Sequence, residues 1–482
     1  MQRRWDILAE EVKRSSYIAL PMAVVMVSQY LLRAASISMV GHLGELELAG
    51  TGIAACFTSV TGFSVLTYML WKITTFVILH QQFGMASALE TLCGQAYGAR
   101  QYHMLGTYTY SAMISSILVC FPISILWMYI DKLLILLGQD PLISIEARKF
   151  SVWLIPTLFP YAILQLITRY LSSQSLIFPM LWSSVTVLAI HVPVCWALVF
   201  KLGFRIPGAA LAIGFSYTLN VVILVVYLYR SKACERTRAA CLRDVFLSIK
   251  EFLRFAIPSA VMTCLEWWSY EAVGLLSGLL PNAQLETSVL SICLTLDILH
   301  YYIPSSFGVA ASTRVSNELG AGNPEAAKMA LLAVTALGAM EVIVASTILL
   351  CSRSVLGYAF SNDKELVNYV KAMTPFLCLS IFADTIQTIL SGVARGSGWQ
   401  DVGAYINLGS YYLVGIPMAI VLGFVCHLNG KGLWSGLIIG LMMQSTLLTL
   451  VTCFTNWQKQ ATKARERMLK EALIDEEGWA TK

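Results

Sequence analysis

The chain says nearly the same thing twice. Ala19-Leu20-Pro21-Met22-Ala23-Val24 returns as Ala256-Ile257-Pro258-Ser259-Ala260-Val261, and later landmarks return in the same order. Each half is too long and too apolar for a single membrane crossing. The pattern therefore describes two bundles of spanning helices related by an internal pseudo-symmetry, the architecture of secondary transporters with a central cavity.

Composition excludes most other classes. With 57% hydrophobic and 13% charged residues over 482 positions, and a mean hydropathy of +0.68, too little polar surface remains to coat a soluble globule of this size. About 20 apolar residues are needed per crossing. Such stretches fall at 15–40, 45–66, 104–128, 150–171, 176–200, 207–229, 252–279, 287–311, 328–351, 366–392, 403–426 and 432–455, six in each half. The start of the chain is charged and amphipathic (Arg3, Arg4, Asp6, Glu10, Glu11, Lys13, Arg14), so no cleavable signal is expected and the first span serves as an uncleaved one. Organisation follows: a cytoplasmic N-terminus at 1–14, a first lobe at 15–230, an inter-lobe loop at 231–250, a second lobe at 251–456 and a tail at 457–482.

Lys and Arg bias short loops to the cytoplasmic side. The N-terminus, the loop with Arg230, Lys232, Arg236, Arg238, Arg243 and Lys250, and the tail with Lys459, Lys463, Arg465, Arg467 and Lys470 are all basic. Twelve crossings put all three on one face, so both termini are expected in the cytoplasm. The net charge of +5 comes from this edge and suits a surface near anionic lipid, with no nucleic acid implied. The twelve cysteines are scattered, without a Cys-x-x-Cys, and read as small packing residues. No Asn-x-Ser/Thr site, nucleotide-binding glycine loop, Ser/His/Asp arrangement or metal-ligand cluster is present. The chain is therefore expected to be no enzyme, with no catalytic residues, metal or cofactor.

Three landmarks are specific enough to suggest a family. Leu89-Glu90-Thr91-Leu92-Cys93-Gly94-Gln95-Ala96-Tyr97-Gly98-Ala99, Cys264-Leu265-Glu266-Trp267-Trp268 and Ser312-Thr313-Arg314-Val315-Ser316-Asn317-Glu318-Leu319-Gly320-Ala321-Gly322-Asn323-Pro324 resemble the plant branch of the multidrug and toxic compound extrusion (MATE, or detoxification) transporters. The resemblance runs over nearly the whole chain. It implies an all-α polytopic membrane protein with twelve transmembrane helices in two six-helix lobes. It also implies an antiporter exporting xenobiotics, organic cations or secondary metabolites such as flavonoids and alkaloids in exchange for protons, in the plasma or vacuolar membrane. Sodium coupling is the alternative. A membrane-embedded enzyme would need a nucleophile, base or metal set at one depth, and a channel would need a continuous polar stripe.

An ionisable side chain at membrane depth is costly and marks a functional site by default. Glu266, eight residues past Pro258, and Asp384, nine past Pro375, lie deep in apolar sequence of the second half. Family resemblance points to the same two positions as coupling carboxylates. Burial disfavours a charged carboxylate and an approaching cation favours it, so proton and cationic substrate can compete for one site. Aligning the halves sets Gln29 opposite Glu266 and Gln165 opposite Asp384, so protonation chemistry is expected in the second half only. Glu271 is about 140° further round the helix than Glu266; Asp297 and His300 share a face at i and i+3; Glu341 is a further buried acid. Arg33 either snorkels or biases the cavity towards anionic or phenolic substrates. Trp267, Trp268, Tyr270, Tyr301, Tyr302, Tyr411 and Tyr412 supply aromatic surface for flat organic molecules, or else interface anchors. With Gln29, Arg33 and Gln165, all of these but Tyr412 make the expected substrate cavity of a monomer.

One departure stands out. The repeat offset is 237 residues between Pro21 and Pro258 but 222 between Gly98 and Gly320, which leaves about 15 extra residues in the first half. The segment 67–82 splits two pieces that the family would run together in the second helix, and it carries Lys72 and His80. A thirteenth span would invert the basic loops, so a bulge or re-entrant extension is expected, with translated intron or a gene-model error as its origin; a genuine insert threatens the packing of the second helix and would leave the protein inactive in transport.

Overall fold

The computed structural model describes residues 2–44, 47, 51, 54, 79–136 and 140–480. The fold is all-α. The helices are α1 Gln2–Gly41, α2 Leu79–Gly98, α3 Tyr102–Met128, α4 Ile130–Leu136, α5 Pro141–Ser173, α6 Phe178–Lys201, α7 Arg205–Arg230, α8 Leu242–Ser277, α9 Ala283–Gly320, α10 Pro324–Ser352, α11 Lys364–Ser397, α12 Gln400–Val425, α13 Asn429–Phe454 and α14 Trp457–Ala480. Eleven of the twelve expected spans lie within these helices or overrun them by a few residues. Of the span at 45–66 only residues 47, 51 and 54 are described; the insert up to residue 78 lies outside the described residues, while 79–82 open α2.

Among the described residues nine helices are long and apolar enough to cross a membrane. At 36 and 38 residues α8 and α9 are longer than most of these nine but are not among them. They carry the acids Glu266, Glu271, Glu286 and Asp297, which lower their hydropathy. Local chemistry sets several ends: the Asp140 carboxylate accepts from the amides of Leu142 and Ile143 to start α5, Asp363 does the same for Glu365 at α11, and Gly398, at φ 85°, ends α11 in the left-handed region.

The chain divides into two compact units. One has Val24–Ala260 as its body; the other joins the stretch up to Ala23 to Val261–Leu469. Each of the three divisions falls inside a helix: two residues past Pro21 in α1, two past Pro258 in α8, and after Leu469 in α14. The N-terminal stretch is fastened to its unit by an ion-pair cluster: Arg314 of α9 donates Nε to Glu11 Oε1 (2.6 Å) and Nη2 to Glu11 Oε2 (3.0 Å) and to Glu318 Oε1 (2.7 Å). In the Val24–Ala260 unit, the basic loop after α7 is docked against its own bundle. Thr237 donates to Gln174 Oε1 (3.0 Å), and a Cβ at Gly106 would stand 2.4 Å from the Ala239 carbonyl oxygen, so this approach of loop to helix needs a glycine.

In the other unit α9 and α11 pack backbone to backbone. A Cβ at Gly392 would lie 2.1 Å from the Gly308 carbonyl oxygen, and one at Gly396 2.6 Å from that of Ser312. Small residues four apart on both helices allow this approach, the standard packing device of membrane helices. It holds α11 firmly against α9 beside the acids.

Candidate functional site

The polar residues of α11 fall on one stripe. Ser380, Asp384, Gln387 and Ser391 are spaced 4, 3 and 4 apart, which keeps them on a single helix face. Gln387 is fully buried and its Nε2 is the hub: it lies 2.9 Å from Glu266 Oε1 on α8, 2.8 Å from Asp384 Oδ1 and 3.0 Å from Thr388 Oγ1. The Ser391 hydroxyl donates to Gln387 Oε1 (3.2 Å), which turns the amide nitrogen towards the acids. Glu266 and Asp384 are 8% and 2% exposed. The two acids singled out from sequence thus meet, joined by a glutamine that sequence reasoning missed. An uncharged residue raises no alarm in a span, although its place three residues after Asp384 was the available signal.

Two carboxylates around one neutral donor repel each other when both are ionised. Among the described residues neither acid forms an ion pair within 4 Å, and no group of three or more metal-ligating side chains occurs. Asp297 and His300 take different partners: Ser380 donates to Asp297 (3.2 Å), whereas His300 Nε2 lies 2.9 Å from Glu341 Oε1 on α10. Glu271 is partly exposed and stands outside the hydrogen-bonded set.

Four of the aromatic candidates form one cluster. Trp267 meets Tyr301 edge to face at 5.1 Å between centroids and Tyr270 at 6.3 Å, and Tyr301 meets Tyr302 at 6.1 Å. Trp267 directly follows Glu266, so aromatic surface and carboxylate share one turn of α8. Trp268 is buried, and Tyr412 packs on the hydrophobic core of the unit. Tyr411 is elsewhere. Its hydroxyl donates to Gln444 Oε1 (2.6 Å), Gln444 Nε2 to Asn407 Oδ1 (2.7 Å), and Asn407 Nδ2 to the Met262 carbonyl (2.8 Å). This chain of amides, absent from the sequence reading, ties α12 and α13 to α8 four residues before Glu266. Over Leu408–Gly415 α12 widens into π-helical turns. Such turns are frequent at functional sites.

Gln29, Arg33 and Gln165 belong to the Val24–Ala260 unit, with Gln29 and Arg33 partly buried on α1 and Gln165 buried on α5. That unit has buried charge of its own, which sequence reasoning passed over. Arg169 of α5 pairs with Glu90 of α2 at 3.0 Å, the side chains 1% and 2% exposed. His191 of α6, also buried, lies 3.0 Å from Ser36 Oγ on α1 and 2.8 Å from Ser216 Oγ on α7. These contacts hold helices together and present no open acid.

Comparison with known proteins bears on the family and the fold. The sequence model of the MatE family matches residues 67–197 and 258–421. Protein DETOXIFICATION 14 of Arabidopsis thaliana is 52% identical over 472 residues, 98% of this chain and 94% of the relative. Protein DETOXIFICATION 8 of the same plant is 51% identical over 469 residues, 97% and 93%. The crystal structure of the eukaryotic MATE transporter AtDTX14 superimposes with a TM-score of 0.89 at 51% identity, covering 96% of this chain and all of that one. An outward-facing multidrug resistance MATE transporter, at 16% identity, shares the fold with a TM-score of 0.78 over 96% of this chain and 97% of its own.

Proposed function

Since this chain belongs to the MATE family of multidrug and toxic compound efflux transporters, we propose that it is an antiporter, exporting organic molecules against an inward flow of protons by alternating access. The observation that carries this reading is the Gln387 amide held between Glu266 and Asp384. A proton taken up there from the outside or lumenal face displaces a cationic substrate. Loss of that proton on the cytoplasmic side restores affinity, so exchange needs no covalent step and no cofactor. The Trp267–Tyr301 cluster beside Glu266 supports flat aromatic or cationic compounds as substrates. The basic loops support placing both termini in the cytoplasm; a monomer in the plasma or vacuolar membrane completes the proposal.

The test is efflux of a fluorescent organic cation from proteoliposomes under an imposed pH gradient. Gradient-driven flux is expected for the natural chain and only background for Glu266→Gln and Asp384→Asn. Flux that follows a sodium gradient at fixed pH would replace the proton by sodium, and undiminished flux in both variants would sink the site.

A further inference from the structure

The tail helix α14 carries its charges the wrong way round for its own dipole. Five bases (Lys459, Lys463, Arg465, Arg467, Lys470) stand against the single acid Glu466 between 457 and 470, whereas 471–480 holds four acids and no base. No acid lies in its first turn and no base in its last. The helix dipole favours the reverse distribution, so helix stability does not account for the pattern. Something outside the helix does.

The position of the basic end is fixed by the chain. The apolar span α13 ends at Phe454, 85% exposed, Thr455 is extended, and Asn456 Oδ1 accepts from the Lys459 amide at 3.0 Å. Two extended residues and one helical turn leave Lys459 at most about 12 Å from Phe454. The headgroup layer is roughly 5–7 Å deep on each side of the hydrocarbon, so Lys459 with its flexible stem reaches it whichever way α14 runs. The opposite face is taken: Trp457, Ala461, Ala464 and Met468, at spacings of 4, 3 and 4, are buried, and the flank of Arg465 lies against Gly322. What faces outward is a groove of about 390 Å³ lined by Asn456, Gln458, Lys459, Thr462, Lys463 and Glu466. Two ammonium groups and three neutral polar side chains line its membrane end, and its acid stands furthest from the span.

We propose that this corner of α13 and α14 binds the phosphate-bearing headgroup of an anionic phospholipid, with Lys459 and Lys463 on the phosphate and the acyl chains beside the exposed Leu450 and Phe454. The proposal rests on the cytoplasmic placement of the tail only for which leaflet supplies the lipid, since the anionic one is cytoplasmic. A run of bases directly after a spanning helix is the general signature of such recognition.

Native mass spectrometry of the full-length protein in detergent, titrated with phosphatidylserine or phosphatidylcholine, tests this without recourse to transport, so its outcome is separable from that of the efflux assay. The natural chain should retain phosphatidylserine in preference. The Lys459→Gln/Lys463→Gln variant should bind it roughly 10- to 30-fold more weakly, and Lys459→Arg/Lys463→Arg should retain it. A matched loss of charge at Lys232→Gln/Arg236→Gln should change nothing. Equal retention in the tail glutamine variant, or an equal loss in the loop variant, would overturn the proposal.

Discussion

The α2–α5 pair of one unit and the α9–α11 pair of the other hold equivalent places in the repeat: Gly98 and Gly320 end the first helix of each pair, and Pro156 and Pro375 lie in the second. They solve the same packing problem differently. The first pair is joined by a buried ion pair, Glu90 with Arg169. The second is joined by glycine against glycine, and its acid, Asp384, with Glu266 from α8, meets an amide instead of a guanidinium. A buried carboxylate held by arginine is committed to structure, because removing either partner strands a charge. One held by an amide keeps room for an exchangeable cation. The repeated pair thus carries an ion pair in one unit and two acids bridged by an amide in the other.

The sharpest way to break this comparison is to neutralise acids on both sides and read flux and stability together. Glu266→Gln and Asp384→Asn should bring gradient-driven efflux to background while leaving thermal unfolding nearly where it was, since an amide in either place still bonds to Gln387. Glu90→Gln should do the opposite first, lowering stability by about 3–5 kcal/mol because buried Arg169 loses its carboxylate; Glu90→Gln/Arg169→Met should recover part of it. If Glu90→Gln unfolds no more easily than Glu266→Gln, the distinction between fixed and titratable charge fails.

Smaller effects sharpen it. Gln387→Leu removes a donor shared by two acids, a charge-assisted contact of about 1.5–3 kcal/mol. Efflux should fall roughly 10- to 100-fold, with the pH gradient still required. Tyr411→Phe leaves Gln444 one donor short and should cost about 1 kcal/mol, seen in thermal unfolding with little change in flux. A Tyr411→Phe variant as inactive as Asp384→Asn would move the amide chain of α12 and α13 into the transport machinery.

Much of this was legible in the chain. Apolar length and the repeated proline landmarks gave the spans, and the cost of buried charge singled out Glu266 and Asp384. The misses share a physical cause. Gln387, Asn407 and Gln444 are neutral, so the cost of burying a charge does not single them out, yet hydrogen bonding makes them the frame of the site. Glu90 was read only as part of a family landmark, and its pairing with Arg169, 79 residues away, shows why a charge is tolerated there. His191 went unremarked because its serine partners lie on two other helices. The amphipathic start of the chain gave no hint that Glu11 would be claimed by Arg314, 303 residues on. Partners this distant leave no local period.

That last contact belongs to an arrangement with a history in it. Each unit takes the opening turns of one helix from the other half of the chain: the stretch up to Ala23 sits with Val261–Leu469, and α8 up to Ala260 sits with the first half. A chain cut at the 231–241 loop would yield two fragments, each giving away a segment that the other needs. Run backwards through the duplication that the repeat records, a single-copy ancestor built this way would be a homodimer exchanging its leading helix, the low-cost route by which identical subunits become inseparable.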